Sequence, residues 1–196
     1  MRYLLVGNAP IDGMEASIRD ADVIIQTNKC LHVDLIPQEK TKYVIITNTG
    51  TPSKKVVRHV RKLLVRKKLS DFSLVFARNE AYSEEKIRRL KAAATGFFRF
   101  FRSYRSFRCP LDKKAIAAEF KLIEIDAAFS AELDQRLMAL GMKEDQLPST
   151  GLIAFEWIKT LMRPGDYLEP IGFTHQGWDG HPWTIEAQLV RPYTKE

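Results

Sequence analysis

Tyr3-Leu4-Leu5-Val6-Gly7-Asn8-Ala9-Pro10 is the stretch whose reading decides the fold. Four apolar residues in a row, without alternation, predict a short strand buried on both faces, and Gly-Asn-Ala-Pro stops it in a turn. The same design recurs in Asp22-Val23-Ile24-Ile25-Gln26-Thr27-Asn28 and in Lys42-Tyr43-Val44-Ile45-Ile46-Thr47-Asn48, the latter running into Thr49-Gly50-Thr51-Pro52. Strands that are apolar throughout belong to parallel sheets covered on both sides.

Working outward, Met14–Arg19 has room for one or two helical turns. Ser53–Lys68 carries Val56, Val57, Val60, Leu63 and Leu64 at helical spacing, and Arg66-Lys67-Lys68 suits the negative end of its dipole. Phe72–Phe76, Leu122–Ile125 and Tyr167–Phe173 read as strands, and Ser83–Ala94, Ala131–Leu140 and Thr150–Met162 as helices. A Gly- and Trp-rich loop and a short C-terminal segment follow the last strand. Alternating strands and helices over 196 residues predict one Rossmann-like α/β domain, residues 1–196, with a mostly parallel sheet and helices on both faces. A content of 45% hydrophobic and 28% charged residues excludes a disordered or fibrous chain. Two cysteines, Cys30 and Cys109, without CxxC spacing, exclude a zinc ribbon and suit a reducing cytoplasm. Apolar runs fall short of the roughly 20 residues of a membrane helix.

Open parallel sheets bind ligands at the carboxyl ends of their strands. Those ends here are Gly7-Asn8, Asn28, Asn48 and Gly172-Phe173. Asparagine there either contacts a sugar or base, or serves as a turn residue. Ser149-Thr150-Gly151 opens a helix, where backbone N–H groups and the dipole favour an anion, or where Ser149 or Thr150 is simply the cap. His175 and His181 lie six residues apart in the Gly/Trp loop, with Glu186 five residues on. An imidazole near neutrality suits general-base work. Two histidines and a glutamate also suit a metal or plain loop packing. His32 and His59 lack such company and read as surface or structural residues.

Four segments together resemble the eukaryotic-type sialyltransferases, glycosyltransferase family 29. Gly7-Asn8 with Asp22-Val23-Ile24-Ile25-Gln26-Thr27-Asn28 is similar to the large sialylmotif. Pro148-Ser149-Thr150-Gly151-Leu152 is similar to the small one, Ile171-Gly172-Phe173 to the strand that follows it, and His181 to Glu186 to the very small motif. His175 lies where the third motif places a histidine. The resemblance implies an inverting, metal-independent transfer of a CMP-activated acidic sugar, sialic acid or a Kdo-like relative, to a glycan hydroxyl, with no further cofactor. It implies that His181 is the base and that His175 donates to the departing phosphate. Glu186 would orient the ring of His181 or hold the local backbone. Gly7, Asn8 and Asn28 would contact the nucleotide, Ser149, Thr150 and Gly151 the donor, and Trp178 or Trp183 the acceptor region.

Gln26 stands where the family has arginine, no cysteine lies where its disulfide would form, and the chain is short. These departures leave open a catalytically inactive nucleotide-binding or accessory protein; the sequence is also similar to short bacterial proteins associated with urease operons, a name describing gene neighbourhood alone.

The net charge of +7 is concentrated: Lys54–Arg108 holds 17 basic and 4 acidic residues, a local +13 beside a remainder of −6. Its end, Phe97–Arg108, sets Arg99, Arg102, Arg105 and Arg108 among aromatics. That pattern suits an amphipathic cover segment, an anionic glycan, the inner, cytoplasmic face of a membrane, or single-stranded nucleic acid gripped by stacking and phosphate contact. The acidic remainder disfavours a dedicated nucleic-acid binder. The expected donor site itself reads as non-basic.

Overall fold

The structure, a computed structural model, describes residues 1–93 and 108–194, with side chains for 1–89 and 108–194. Among them, six strands form one all-parallel sheet: β1 (Arg2–Val6), β2 (Val23–Thr27), β3 (Thr41–Ile46), β4 (Ser73–Phe76), β5 (Lys121–Glu124) and β6 (Tyr167–Ile171), in the order β5-β4-β3-β2-β1-β6. The α/β Rossmann-like architecture expected from the apolar strands is present.

Among the described residues seven helices flank the sheet: α1 (Glu15–Asp20), α2 (Ser53–Val65), α3 (Glu80–Ala93), α4 (Lys113–Glu119), α5 (Ala127–Ala139), α6 (Thr150–Leu161) and α7 (Trp183–Val190). Alternate strand residues divide the core. Leu5, Ile25, Ile45 and Val75 pack against α5, α6 and α7 through Leu133, Leu137, Phe155 and Val190. Leu4, Val6 and Ile24 meet Ile18 of α1, while Val44, Ile46, Leu74 and Phe76 meet α2 and α4 through Val56, Val60 and Ile116. Burial on both faces explains why the strands read as continuous apolar runs.

Two helices depart from the sequence expectation. α4 was not anticipated; Asp112 caps it by accepting from the Ala115 N–H at 3.1 Å. α7 falls in the expected C-terminal loop segment, because Trp183, Thr184 and Ile185 are poor helix formers and burial of Ala187 and Val190 overrides propensity. α3 and α5 begin three and four residues earlier than expected, at Glu80 and Ala127, and β6 ends at Ile171.

From β1 the chain winds outward to β5 and then returns to place β6 on β1's other side. This reversal at β1/β6 is a switch point, where flanking connections part and leave a crevice above the strand ends. The ends approach closely there. Gly7 N–H donates to Ile171 O at 2.8 Å, and a Cβ on Gly7 would lie 2.1 Å from Gly172 O.

Candidate functional site

A cleft of about 1730 Å³ opens over the carboxyl ends of the strands. A row of asparagines runs along these strand ends, each joining one to the next. Asn8 Nδ2 donates to Thr27 O at 3.1 Å, and Asn8 Oδ1 accepts from Leu31 N–H. Asn28, in the left-handed conformation at φ 51°, accepts from Thr47 N–H at 2.9 Å. Asn48, fully buried, bonds both Arg78 N–H and Arg78 O. Asn79 Nδ2 donates to Ile125 O at 3.3 Å. Asn28 and Asn48 thus do the work of turn residues, and Asn8 has both ends of its amide engaged. All but Asn48 and Asn79 line the cleft.

The segment Leu147-Pro148-Ser149 brings the sequence-predicted residues together, held by three ionisable side chains. His181 Nδ1 lies 2.6 Å from Leu147 O; a carbonyl only accepts, so Nδ1 carries the proton and Nε2 keeps its lone pair. Arg78 NH2 donates to Pro148 O at 2.7 Å. Glu186, fully buried, accepts from Ser149 N–H at 2.7 Å and from Ser149 Oγ at 2.5 Å. Of the two roles open to Glu186, it holds the local backbone and does not touch the imidazole. The ring is oriented by the Leu147 carbonyl and by Trp178 and Trp183, whose rings stand edge-on to it at 4.9 Å each. Trp183 Nε1 in turn donates to Trp178 O at 3.1 Å.

Burial lowers the His181 pKa to about 4, with Arg78 adding to the fall and the Leu147 bond opposing it. The imidazole is therefore neutral at pH 7 and less basic than the near-neutral group the sequence suggests. His175, at φ 49°, stacks on Phe173 with ring centroids 6.4 Å apart, and burial lowers its pKa too. Glu186 moves the other way: burial raises it, against the Ser149 bonds and Arg78.

The start of α6 differs from the expected ligand cradle. Ser149 Oγ caps the helix by accepting from Leu152 N–H at 3.1 Å, so with Glu186 its polar groups are engaged. A Cβ on Gly151 would lie 2.5 Å from the Phe173 ring, so the missing side chain admits Phe173. Thr150 is buried, and Ser149, Thr150 and Gly151 all line the cleft.

Sequence reasoning missed Arg78. It stands at the end of β4, 7% exposed, on the cleft wall. Burial lowers its pKa to about 10, with Glu186 and Asp134 opposing from a distance. Its signal was an arginine directly after the apolar run Leu74-Val75-Phe76-Ala77. Four basic residues, Lys29, Lys54, Arg78 and Arg108, line the cleft against one acid, Glu186. The cleft is basic, contrary to expectation, because Lys54, Arg78 and Arg108 of the basic stretch all reach it. Arg99, Arg102 and Arg105 lie outside the described residues. Trp178 is 41% exposed at the rim and Trp183 half-buried. Gln26, in the place of the family's arginine, is buried and donates to Thr41 Oγ1 at 3.1 Å.

Among the described residues, no three His, Cys, Asp or Glu side chains gather as a metal site, and no helix is long and apolar enough to cross a membrane. Compared with known proteins, the chain matches no family model and no curated protein.

Proposed function

We propose that the protein is a sialyltransferase-like glycosyltransferase that binds a CMP-activated acidic sugar, sialic acid or a Kdo-like relative, in this cleft and transfers it, with inversion, to a glycan hydroxyl. The observation that carries the reading is His181, its Nδ1–H fixed on Leu147 O and its Nε2 lone pair left for an incoming proton, beside the Ser149 segment at the switch point. In the proposed step the acceptor oxygen forms a bond to the anomeric carbon. The bond from that carbon to the phosphate oxygen breaks, CMP leaves with the electron pair, and the hydroxyl proton passes to His181 Nε2. A neutral imidazole is always ready to accept, and the proton moves as the hydroxyl acidifies on attack. His175 donates a hydrogen bond to the leaving phosphate, and exposed Trp178 offers the acceptor sugar an apolar face. Asn28 contacts the nucleotide. The reading requires no metal and no cofactor beyond the donor, and sets the enzyme in the cytoplasm. Arg99, Arg102, Arg105 and Arg108 serve an anionic acceptor glycan or the membrane's inner face.

A second reading, a nucleotide-binding accessory protein without transfer, is favoured by the low basicity of His181. Calorimetric titration with CMP, followed by CMP-sugar turnover, separates the two. Transfer lost in His181→Ala with CMP binding retained supports the enzyme. CMP binding with no turnover in the native protein supports the accessory reading, and no cytidine-nucleotide binding at about millimolar concentration, where useful binding ends, removes both.

A further inference from the structure

Arg78 is a buried cation with no carboxylate in contact among the described residues. A buried charge of this kind is costly unless it is paired. The two acids that act on it from a distance are both committed elsewhere, Glu186 to Ser149 and Asp134 to Lys86. Its guanidinium donates to Pro148 O at 2.7 Å and, at long range, to Thr47 Oγ1 at 3.3 Å and Thr49 Oγ1 at 3.5 Å. Nε has no hydrogen-bond partner. Of five N–H donors, therefore, three are engaged, two of them weakly.

The surroundings repeat the theme. Thr47, Thr49 and the N-terminal turn of α2 (Gly50, Thr51, Pro52, Lys54) line the same wall of the cleft. That helix end has no side-chain cap and no acidic residue in its first turn, and its dipole adds positive potential.

We propose that Arg78, with the Thr47 and Thr49 hydroxyls and the α2 N-terminus, forms a phosphate-binding site. A guanidinium with two threonine hydroxyls beside its NH1, the Thr47 hydroxyl holding Thr49 O only weakly at 3.4 Å, suits a tetrahedral dianion better than a planar monoanionic carboxylate. Phosphate binding here stands on the geometry alone; only the identity of what carries the phosphate, a cytidine nucleotide, rests on the proposed function.

The test titrates the intact protein with inorganic phosphate, CMP, cytidine and free N-acetylneuraminate at low salt, for the native chain, Arg78→Lys and Arg78→Met. Losing one charge-assisted cluster of donors should weaken phosphate and CMP about tenfold to hundredfold in Arg78→Met and less in Arg78→Lys. Cytidine and N-acetylneuraminate should bind no worse. Equal phosphate and CMP affinity in native and variant proteins overturns the site, as does selective loss of N-acetylneuraminate, which would make it a carboxylate site. CMP no tighter than inorganic phosphate leaves the site standing and removes the cytidine reading. Should Arg78→Met fail to fold, the Arg78 Nε–H resonance of the native protein decides. It shifts on phosphate addition if the guanidinium takes the anion. It stays put if Nε serves only the neighbouring cavity of about 20 Å³ beside Tyr82 and Asp134, a volume that fits one water.

Discussion

Two helices point their N-termini at one cleft, and they are finished in opposite ways. The start of α6 is closed by the protein itself: Ser149 caps it, Glu186 supplies the anion, and Phe173 covers Gly151. At the start of α2 only backbone carbonyls close the turn: Ser53 N–H donates to Gly50 O at 3.4 Å and Lys55 N–H to Pro52 O at 3.0 Å. Ser53 Oγ turns back to Gly50 O at 2.8 Å, no side chain caps the turn, and Lys54 and Lys55 add charge to the positive end of the dipole. The lesson is that the Ser-Thr-Gly start of α6 is held by a carboxylate of the same chain. The Thr51-Pro52-Ser53-Lys54 run at α2 has no such carboxylate in its first turn.

Removing the internal anion should have the largest effect. Glu186→Ala leaves the Ser149 N–H and hydroxyl buried without an acceptor and opens a void, costing about 3–4 kcal/mol. Glu186→Gln keeps one acceptor oxygen and should cost about 1 kcal/mol. Urea unfolding measures both; equal losses in the two variants would show that the carboxylate's hydrogen bonds are not what closes α6. The alanine variant also makes α6 resemble α2, so added phosphate should raise its stability more than that of the native protein.

Next in size is the pH response of the same wall. His181 titrates near 4 in the fold and near 6.5 when unfolded, so the unfolded chain binds more protons between those values. Stability should fall as pH drops through that window, by about 2 kcal/mol once partial exposure discounts the full displacement. Glu186, raised by burial, works in the opposite sense: it favours the fold at low pH and loses that contribution as pH rises through its elevated value. His181→Gln should flatten the drop in urea midpoint between pH 6.5 and 4, while Glu186→Gln should steepen it. An unchanged profile in His181→Gln would mean the imidazole is not buried as described.

Gly151→Ala tests the remaining element of closure. A Cβ 2.5 Å from the Phe173 Cε1 forces the ring aside, at about 1–2 kcal/mol, or roughly 2–8 °C in melting temperature for a chain of this length. CMP affinity should hold. Retained stability with lost CMP affinity would put the ligand, and not Phe173, against Gly151.

What the sequence made legible follows from how local each cause is. Strand burial on both faces leaves an unbroken apolar run, so β1, β2 and β3 could be read from a few residues each. The nearness of His181, Glu186 and Ser149 was legible only through the order of motifs that the resemblance supplies, since 32 residues separate Ser149 from His181 and the contact is made by packing α7 on α6. Arg78 left one local signal, its place directly after the apolar run Leu74-Val75-Phe76-Ala77. Burial and the commitment of Glu186 and Asp134 to other partners set it apart from the other basic residues of Lys54–Arg108, and both are products of the tertiary fold.

The smallest expected effect is also the sharpest on the open helix end. Lys54 is exposed in the first turn of α2, where its charge opposes the helix dipole. Lys54→Glu should therefore stabilise the free protein by about 0.3–1 kcal/mol while weakening phosphate binding several-fold at low salt, and both changes should shrink as ionic strength rises to about 0.15 M. Opposite signs are the point. A lysine kept only for solubility would show the stability gain without the affinity loss, and a lysine that braces the helix would show a stability loss. A gain in stability joined to a loss in phosphate affinity, read by urea unfolding and calorimetry on the same variant, requires that the open end of α2 is held ready for an anion that the chain does not itself supply.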